Sequence, residues 1–164
     1  MRSARRMGRE SAFTLVEILV VTAILAIVVG LTVVRLEPSD ARRLEGAAES
    51  LVRQLETARD EAITRGRALA FSSDGQGYQF WIADTGKDGW LALADNRNLV
   101  SGRFSPDVSL RSIQVNGMSR PLGERLVFPI SGISESFLMT MAVGSVTLDI
   151  QGDALGRVEI NRAP

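Results

Sequence analysis

Apolar and polar positions alternate in three different ways along the 164 residues. From 13 to 34 the chain reads FTLVEILVVTAILAIVVGLTVV, apolar on every side apart from Glu17, and the run stops at Arg35. A helix of these 22 residues would rise about 33 Å, enough for a bilayer core of about 30 Å, so the pattern predicts a membrane-spanning helix over 13–35. Leu36-Glu37-Pro38 follows. Proline disfavours helix at the residue before it, which predicts a break near Glu37. Beyond it Ser39 or Asp40 can cap a new helix, and Leu44, Ala48, Leu51, Leu55, Ala58 and Ala62 recur at alternating steps of 4 and 3. That is one apolar stripe on a helix within 36–66, ended by Gly66. Its other face carries Arg42, Arg43, Glu45, Glu49, Arg53, Glu56, Arg59, Asp60 and Glu61, read as a solvated face with charge pairs three or four apart.

After Gly66 the period changes to two. Candidate strands are 68–72, 78–83, 90–94, 108–115, 126–128, 137–142, 145–151 and 157–161. Val146, Leu148 and Ile150 alternate with Thr147, Asp149 and Gln151, and Val158 and Ile160 with Arg157 and Glu159, the signature of half-buried strands. Turn residues at 74–77, 144 and 153–156 separate them. A helix followed only by strands predicts an α+β head over 67–164 in which the amphipathic helix packs on an antiparallel β-sheet.

Charge orients this layout. Residues 1–12 hold Arg2, Arg5, Arg6 and Arg9 against Glu10, a net +3 in a chain of formal charge zero. The basic end before the apolar run places the N-terminus in the cytoplasm and the head across the membrane. The acidic remainder has no general attraction for nucleic acid. A cleaved secretory signal would have a shorter apolar region with small residues at its far end. A plain anchor leaves Glu17 unexplained, because an ionisable group inside a span costs several kcal/mol unless it is paired, roughly the scale of insertion penalties.

Ala12, Phe13, Thr14, Leu15, Val16 and Glu17, behind a short basic leader and ahead of an apolar helix, resemble the class III signal of type IV pilins and type II secretion pseudopilins. The resemblance implies a pilin-like fold and removal of residues 1–12 by a prepilin peptidase that cuts between Ala12 and Phe13 and methylates Phe13. The family usually has Gly where this chain has Ala12. In a helical stack, the ammonium created at Phe13 can approach a neighbour's Glu17 and offset the desolvation of both charges. The head resembles the minor-subunit branch called general secretion pathway protein H. The resemblance rests on Ala58-Arg59-Asp60-Glu61-Ala62-Ile63-Thr64-Arg65-Gly66-Arg67, Gly77-Tyr78-Gln79-Phe80, Trp90-Leu91-Ala92-Leu93, Leu126-Val127-Phe128-Pro129 with Gly132, and Asp153-Ala154-Leu155-Gly156-Arg157-Val158.

This branch implies a minor pseudopilin near the tip of a periplasmic filament that exports folded proteins. Its partners would be the prepilin peptidase, sibling pseudopilins, the inner-membrane assembly platform, the inner membrane itself and the secreted substrate. The rival is a minor type IV pilin of the DNA-uptake branch, which closes with Gly-Arg-x-Arg. Here Gly156-Arg157-Val158-Glu159 puts a carboxylate at the second Arg position, which repels phosphate.

No chemistry competes with an assembly role. The chain has no Cys and no His, which removes thiol nucleophiles, imidazole bases and the usual zinc ligand sets. It lacks Gly-x-Ser-x-Gly, and a Ser–Lys dyad would have to use Lys87, which nothing positions. The reading is therefore of a non-enzyme with no cofactor and no metal. Asp84-Thr85-Gly86-Lys87-Asp88-Gly89 and Asp95-Asn96-Arg97-Asn98 lack the spacing of a calcium loop and read as turns. Trp81 and Trp90 read as core aromatics, with an exposed contact patch as the alternative.

Overall fold

The computed structural model describes residues 15–34, 39–84, 86, 89–93 and 98–161. The predicted break at Glu37 and Pro38 lies outside them, as do Ala12, Phe13 and Thr14. Two units make up the chain, Met1–Pro38 and Ser39–Pro164. The first contains helix α1, Leu15–Val34. The side chains of α1 are described as far as Ile27, over 13 residues, short of the roughly 20 that a span needs. Among the described residues no helix is long and apolar enough to cross a membrane.

The second unit opens with helix α2, Asp40–Arg65. Ser39 is its N-cap, with an extended backbone and a hydroxyl that accepts from the Arg42 N–H at 3.4 Å. Asp40 in the first turn and Arg65 in the last complement the helix dipole. Gly66 ends the helix at φ 61°, a left-handed conformation that glycine adopts without steric cost. The buried residues of α2 are Leu44, Ala48, Leu51, Leu55, Ala58 and Ala62, the predicted stripe. Each of the three leucines contributes about 2 kcal/mol by leaving water.

Among the described residues ten strands follow: β1 (Leu69–Ser73), β2 (Gly77–Ala83), β3 (Trp90–Ala92), β4 (Gly102–Arg103), β5 (Val108–Val115), β6 (Met118–Arg120), β7 (Leu126–Phe128), β8 (Phe137–Val143), β9 (Val146–Gly152) and β10 (Val158–Asn161). They divide between two antiparallel sheets, where the sequence pattern predicts one. The first runs β3-β2-β1-β7, with β4 also paired to β2; the second runs β10-β9-β8-β5-β6. Helix α2 packs against β1 and β7 of the first sheet and against β5, β8, β9 and β10 of the second. Its stripe therefore closes a core shared by both. Phe71, Phe80, Leu110, Met139, Met141 and Ile150 fill that core with almost no exposure.

The two strands absent from the sequence reading are short and mostly exposed. β6 exists because Asn116 and Gly117, at φ 51° and 76°, form the two-residue turn that suits hairpin twist. Outside the regular elements, Leu99 is buried in the shared core, and its neighbours are fastened to α2. The Val100 N–H donates to Gln54 Oε1 at 3.2 Å, and Asn98 Nδ2 to Glu61 Oε1 at 2.9 Å.

Candidate functional site

The unusual surface of the molecule is α1. Leu15, Val16, Ile18, Leu19, Val20, Val21, Ile24, Leu25 and Ile27 are all exposed in the isolated chain. They occupy every side of the helix, as in a segment surrounded by lipid or by other helices. Thr22 adds no unmet polar demand, because its hydroxyl lies 3.0 Å from the carbonyls of both Ile18 and Leu19. Glu17 lies in the first turn, where a carboxylate is favoured by the positive end of the helix dipole. Of the predicted signal residues, the structure thus places Leu15, Val16 and Glu17 on this turn.

The head contains a cleft of about 320 Å³ lined by Ser72, Ser73, Asp74, Gly77, Tyr78, Gln79, Gly102, Arg103 and Gly123. Two of its polar side chains, Ser73 and Asp74, are spent on the β1–β2 turn. Asp74 Oδ1 accepts from the N–H groups of Gly77 at 2.6 Å and Gln76 at 2.9 Å. These bonds hold the carboxyl below its ordinary range, the Gly77 bond foremost. The Ser73 hydroxyl donates to the Gly77 carbonyl at 2.6 Å and accepts from the Gly75 N–H. Burial pushes the Tyr78 phenol up, and its ring packs with Phe71, Phe80 and Phe104 at centroid distances of 5.2 to 6.2 Å. This is turn and core chemistry, with no nucleophile set against a base.

Among the described residues no cluster of three acidic, His or Cys side chains could hold a metal. At the first of the two predicted turns, the Asp84 N–H donates to the Gly89 carbonyl at 2.9 Å, and Asp84 Oδ1 accepts from the Gly86 N–H at 3.2 Å. Thr85, Lys87 and Asp88 lie outside the described residues, as do Asp95, Asn96 and Arg97. Trp81 and Trp90 sit half-buried on the face of the first sheet opposite Phe80 and Ile82. Trp81 Nε1 donates to Ser72 Oγ at 2.8 Å, and the Arg125 guanidinium stands 4.3 Å from the ring centroid. The two tryptophans cover a sheet face instead of filling the main core.

Not every charged position lies on the solvated face expected of α2: the Glu61 side chain is 14% exposed and pairs with Arg65, and Arg59 turns toward the loops of the head. The Arg59 side chain is 29% exposed and pairs with Asp60 at 3.5 Å, while its Nε donates to the Gly132 carbonyl at 3.2 Å. Gly132 and Gly156 have φ of 73° and 80°, and a Cβ at Gly156 would overlap the Arg59 side chain. Three of the stretches that carried the head resemblance thus converge on one contact. Nothing in the local pattern around Arg59 marked it, since Asp60 and Glu61 beside it read as solvent-facing.

An apolar N-terminal helix with one carboxylate, joined in sequence to a helix that braces a β-rich head, defines a pilin-like chain. In keeping with that class, the model of the prokaryotic N-terminal methylation motif matches residues 7–33, and that of type II transport protein GspH matches residues 47–163. The chain belongs to the GspH family of type II transport proteins. A curated relative, type II secretion system protein H of Aeromonas hydrophila, is 29% identical over 117 residues, covering 70% of this chain and 62% of the relative. The matched region therefore spans less than two thirds of that relative's length.

Two solved structures share the fold. The minor pseudopilin EpsH from the type 2 secretion system of Vibrio cholerae superposes with a TM-score of 0.62 at 14% identity, over 73% of this chain and 96% of that one. The type IV minor pilin FimU of Pseudomonas aeruginosa gives 0.52 at 18% identity, over 72% and 87%.

Proposed function

We propose that this chain is a minor pseudopilin of a type II secretion system, assembling near the tip of a periplasmic filament that drives export of folded proteins across the outer membrane. The observation that carries the reading is the all-round apolar surface of α1 with Glu17 in its first turn, within a match to the N-terminal methylation motif and ahead of a GspH-family head. In this reading a prepilin peptidase cuts between Ala12 and Phe13 and methylates Phe13. Residues 13–35 hold the precursor in the inner membrane with its head in the periplasm. On assembly, Glu17 receives the ammonium of a neighbouring subunit, a pairing that low dielectric strengthens and that offsets the cost of carrying both charges out of water. Sibling pseudopilins, the assembly platform and the exported protein are the remaining partners.

The rival DNA-uptake reading is weakened at its own motif, where Arg157 Nη1 lies 3.8 Å from Glu159 Oε1. The one basic residue of that segment faces a carboxylate before any phosphate arrives. The test is the mature N-terminus together with Glu17→Leu. N-methylated Phe13 is expected, with a Glu17→Leu chain that is inserted and processed but absent from the filament. An intact Met1, or normal incorporation of the Glu17→Leu chain, would refute the proposal.

A further inference from the structure

The convergence at Arg59 builds a surface as well as a joint. The Ser134 N–H donates to the Ala154 carbonyl at 3.0 Å, and a Cβ on Gly132 would stand 2.9 Å from Ile63 Cδ1. Residues 130–134, the turn 153–156 and the last turns of α2 therefore form one continuous face. That face displays Ile63, Ile130, Ile133 and Leu155 at 44, 56, 64 and 74% exposure. Leu155 is not required by its turn. Asp153 accepts from the N–H groups of Gly156 and Arg157 at 3.0 and 2.9 Å, and Gly156 supplies the positive φ. A polar residue at 155 would serve the turn equally well. The four residues expose on the order of 400 Å² of mainly apolar surface, the size of the largest patch on a typical monomer, which is often functional.

We propose that this patch is where the head of a neighbouring subunit of the same filament docks; the inference rests on the assembly reading above. Charge at the rim selects a protein partner. Asp60, Arg157 and Glu159 border the patch with side chains 72, 76 and 71% exposed, and this mixture of signs around an apolar centre is the anatomy of a protein interface. A lipid surface would call for a basic rim, and phosphates are repelled by Asp60 and Glu159. Tethering then favours a filament neighbour. A standard interface buries roughly 800 Å² on each side, somewhat over half of it apolar, so the patch can supply the apolar centre of one with Asp60, Arg157 and Glu159 as its rim. A neighbour already held through its α1 meets the patch at an effective concentration near millimolar, ahead of any freely diffusing protein.

The chain has no Cys, so single-cysteine variants report one position each. In the full-length chain, produced with its sibling subunits, Leu155→Cys and Ile133→Cys are labelled with a maleimide photo-cross-linker. Met118→Cys, 64% exposed on β6, is the control. We expect adducts at 155 and 133 whose partner peptides belong to a sibling subunit with an N-terminal methylation motif. We expect none at 118 and none once Glu17→Leu blocks assembly. Combined Ile133→Asp and Leu155→Asp should lower incorporation about tenfold, which corresponds to about 1.4 kcal/mol. Adducts to a second copy of this chain, to lipid or to an exported protein would overturn the proposal. So would an incorporated chain with no adduct at 155, which would leave the assembly reading standing. A wild-type chain that never enters a filament would overturn both.

Discussion

Arg59 and Gly156 share one volume: the guanidinium arm on α2 lies where a β-carbon at position 156 would be, and from there its Nε reaches the Gly132 carbonyl. Gly156→Ala therefore meets two obstacles, a backbone φ of 80° and a steric overlap. A cost of about 2–3 kcal/mol is expected. Arg59→Ala alone should cost about 1 kcal/mol for the lost hydrogen bond. Made in the Arg59→Ala background, Gly156→Ala should cost only its backbone share, about 1 kcal/mol. A urea-denaturation cycle giving simple additivity would show that the two residues do not compete for space.

Two other glycines should respond to alanine with opposite signs. Gly46 lies within α2, and a β-carbon there would meet nothing within 4 Å, so Gly46→Ala should stabilise the head by about 1 kcal/mol through helix propensity. Gly152 is the register partner of Phe137 across β8 and β9, and the buried Phe137 ring occupies the space its β-carbon would need. Gly152→Ala should destabilise by about 3 kcal/mol. Thermal melts of the two variants test the pair, and equal shifts would contradict the packing described.

The Asp74 carboxylate fastens the β1–β2 turn, and its acidity is raised by the Gly77 and Gln76 N–H groups. Its folded pKa is below the unfolded value near 3.8. The stability it supplies is thus complete above that value and is lost as pH falls through the lower folded pKa. Asp74→Ala should melt at a lower temperature than wild type at pH 7. The gap should narrow only below 3.8. A gap that closes between pH 7 and 5 would point to another group.

The soluble head, residues 40–164, should give no gel shift with duplex DNA at physiological salt, because Arg157 faces Glu159 at 3.8 Å. Glu159→Arg should add weak retardation that disappears as salt rises. Clear binding by the wild-type head would favour the DNA-uptake reading.

The sequence was most legible where burial follows a single period. All six residues of the stripe from Leu44 to Ala62 are buried, since one helix face sets them and no distant contact is needed. Strands with a buried side, such as β5 and β9, were visible for the same reason. β4 and β6 were not, as two or three mostly exposed residues carry no alternation. The division into two sheets was also hidden. It depends on pairings such as Leu69 with Phe128, which join segments remote in sequence. At the N-terminus, Glu17 could be found because a lone charge in an apolar run is conspicuous. Arg59 could not, because a charge among charges takes on meaning only when the fold brings Gly132 and Gly156 to it.

Sharing one helix between two sheets has a mechanical result. A load entering α2 at Ser39 runs parallel to a stripe 19 residues long, from Leu44 to Ala62, that is gripped by both sheets together. To extract the helix, all of those contacts must slide at once; none can be peeled away in turn. The head should therefore yield abruptly and as a whole when pulled from that end, a property that would suit the filament subunit proposed above.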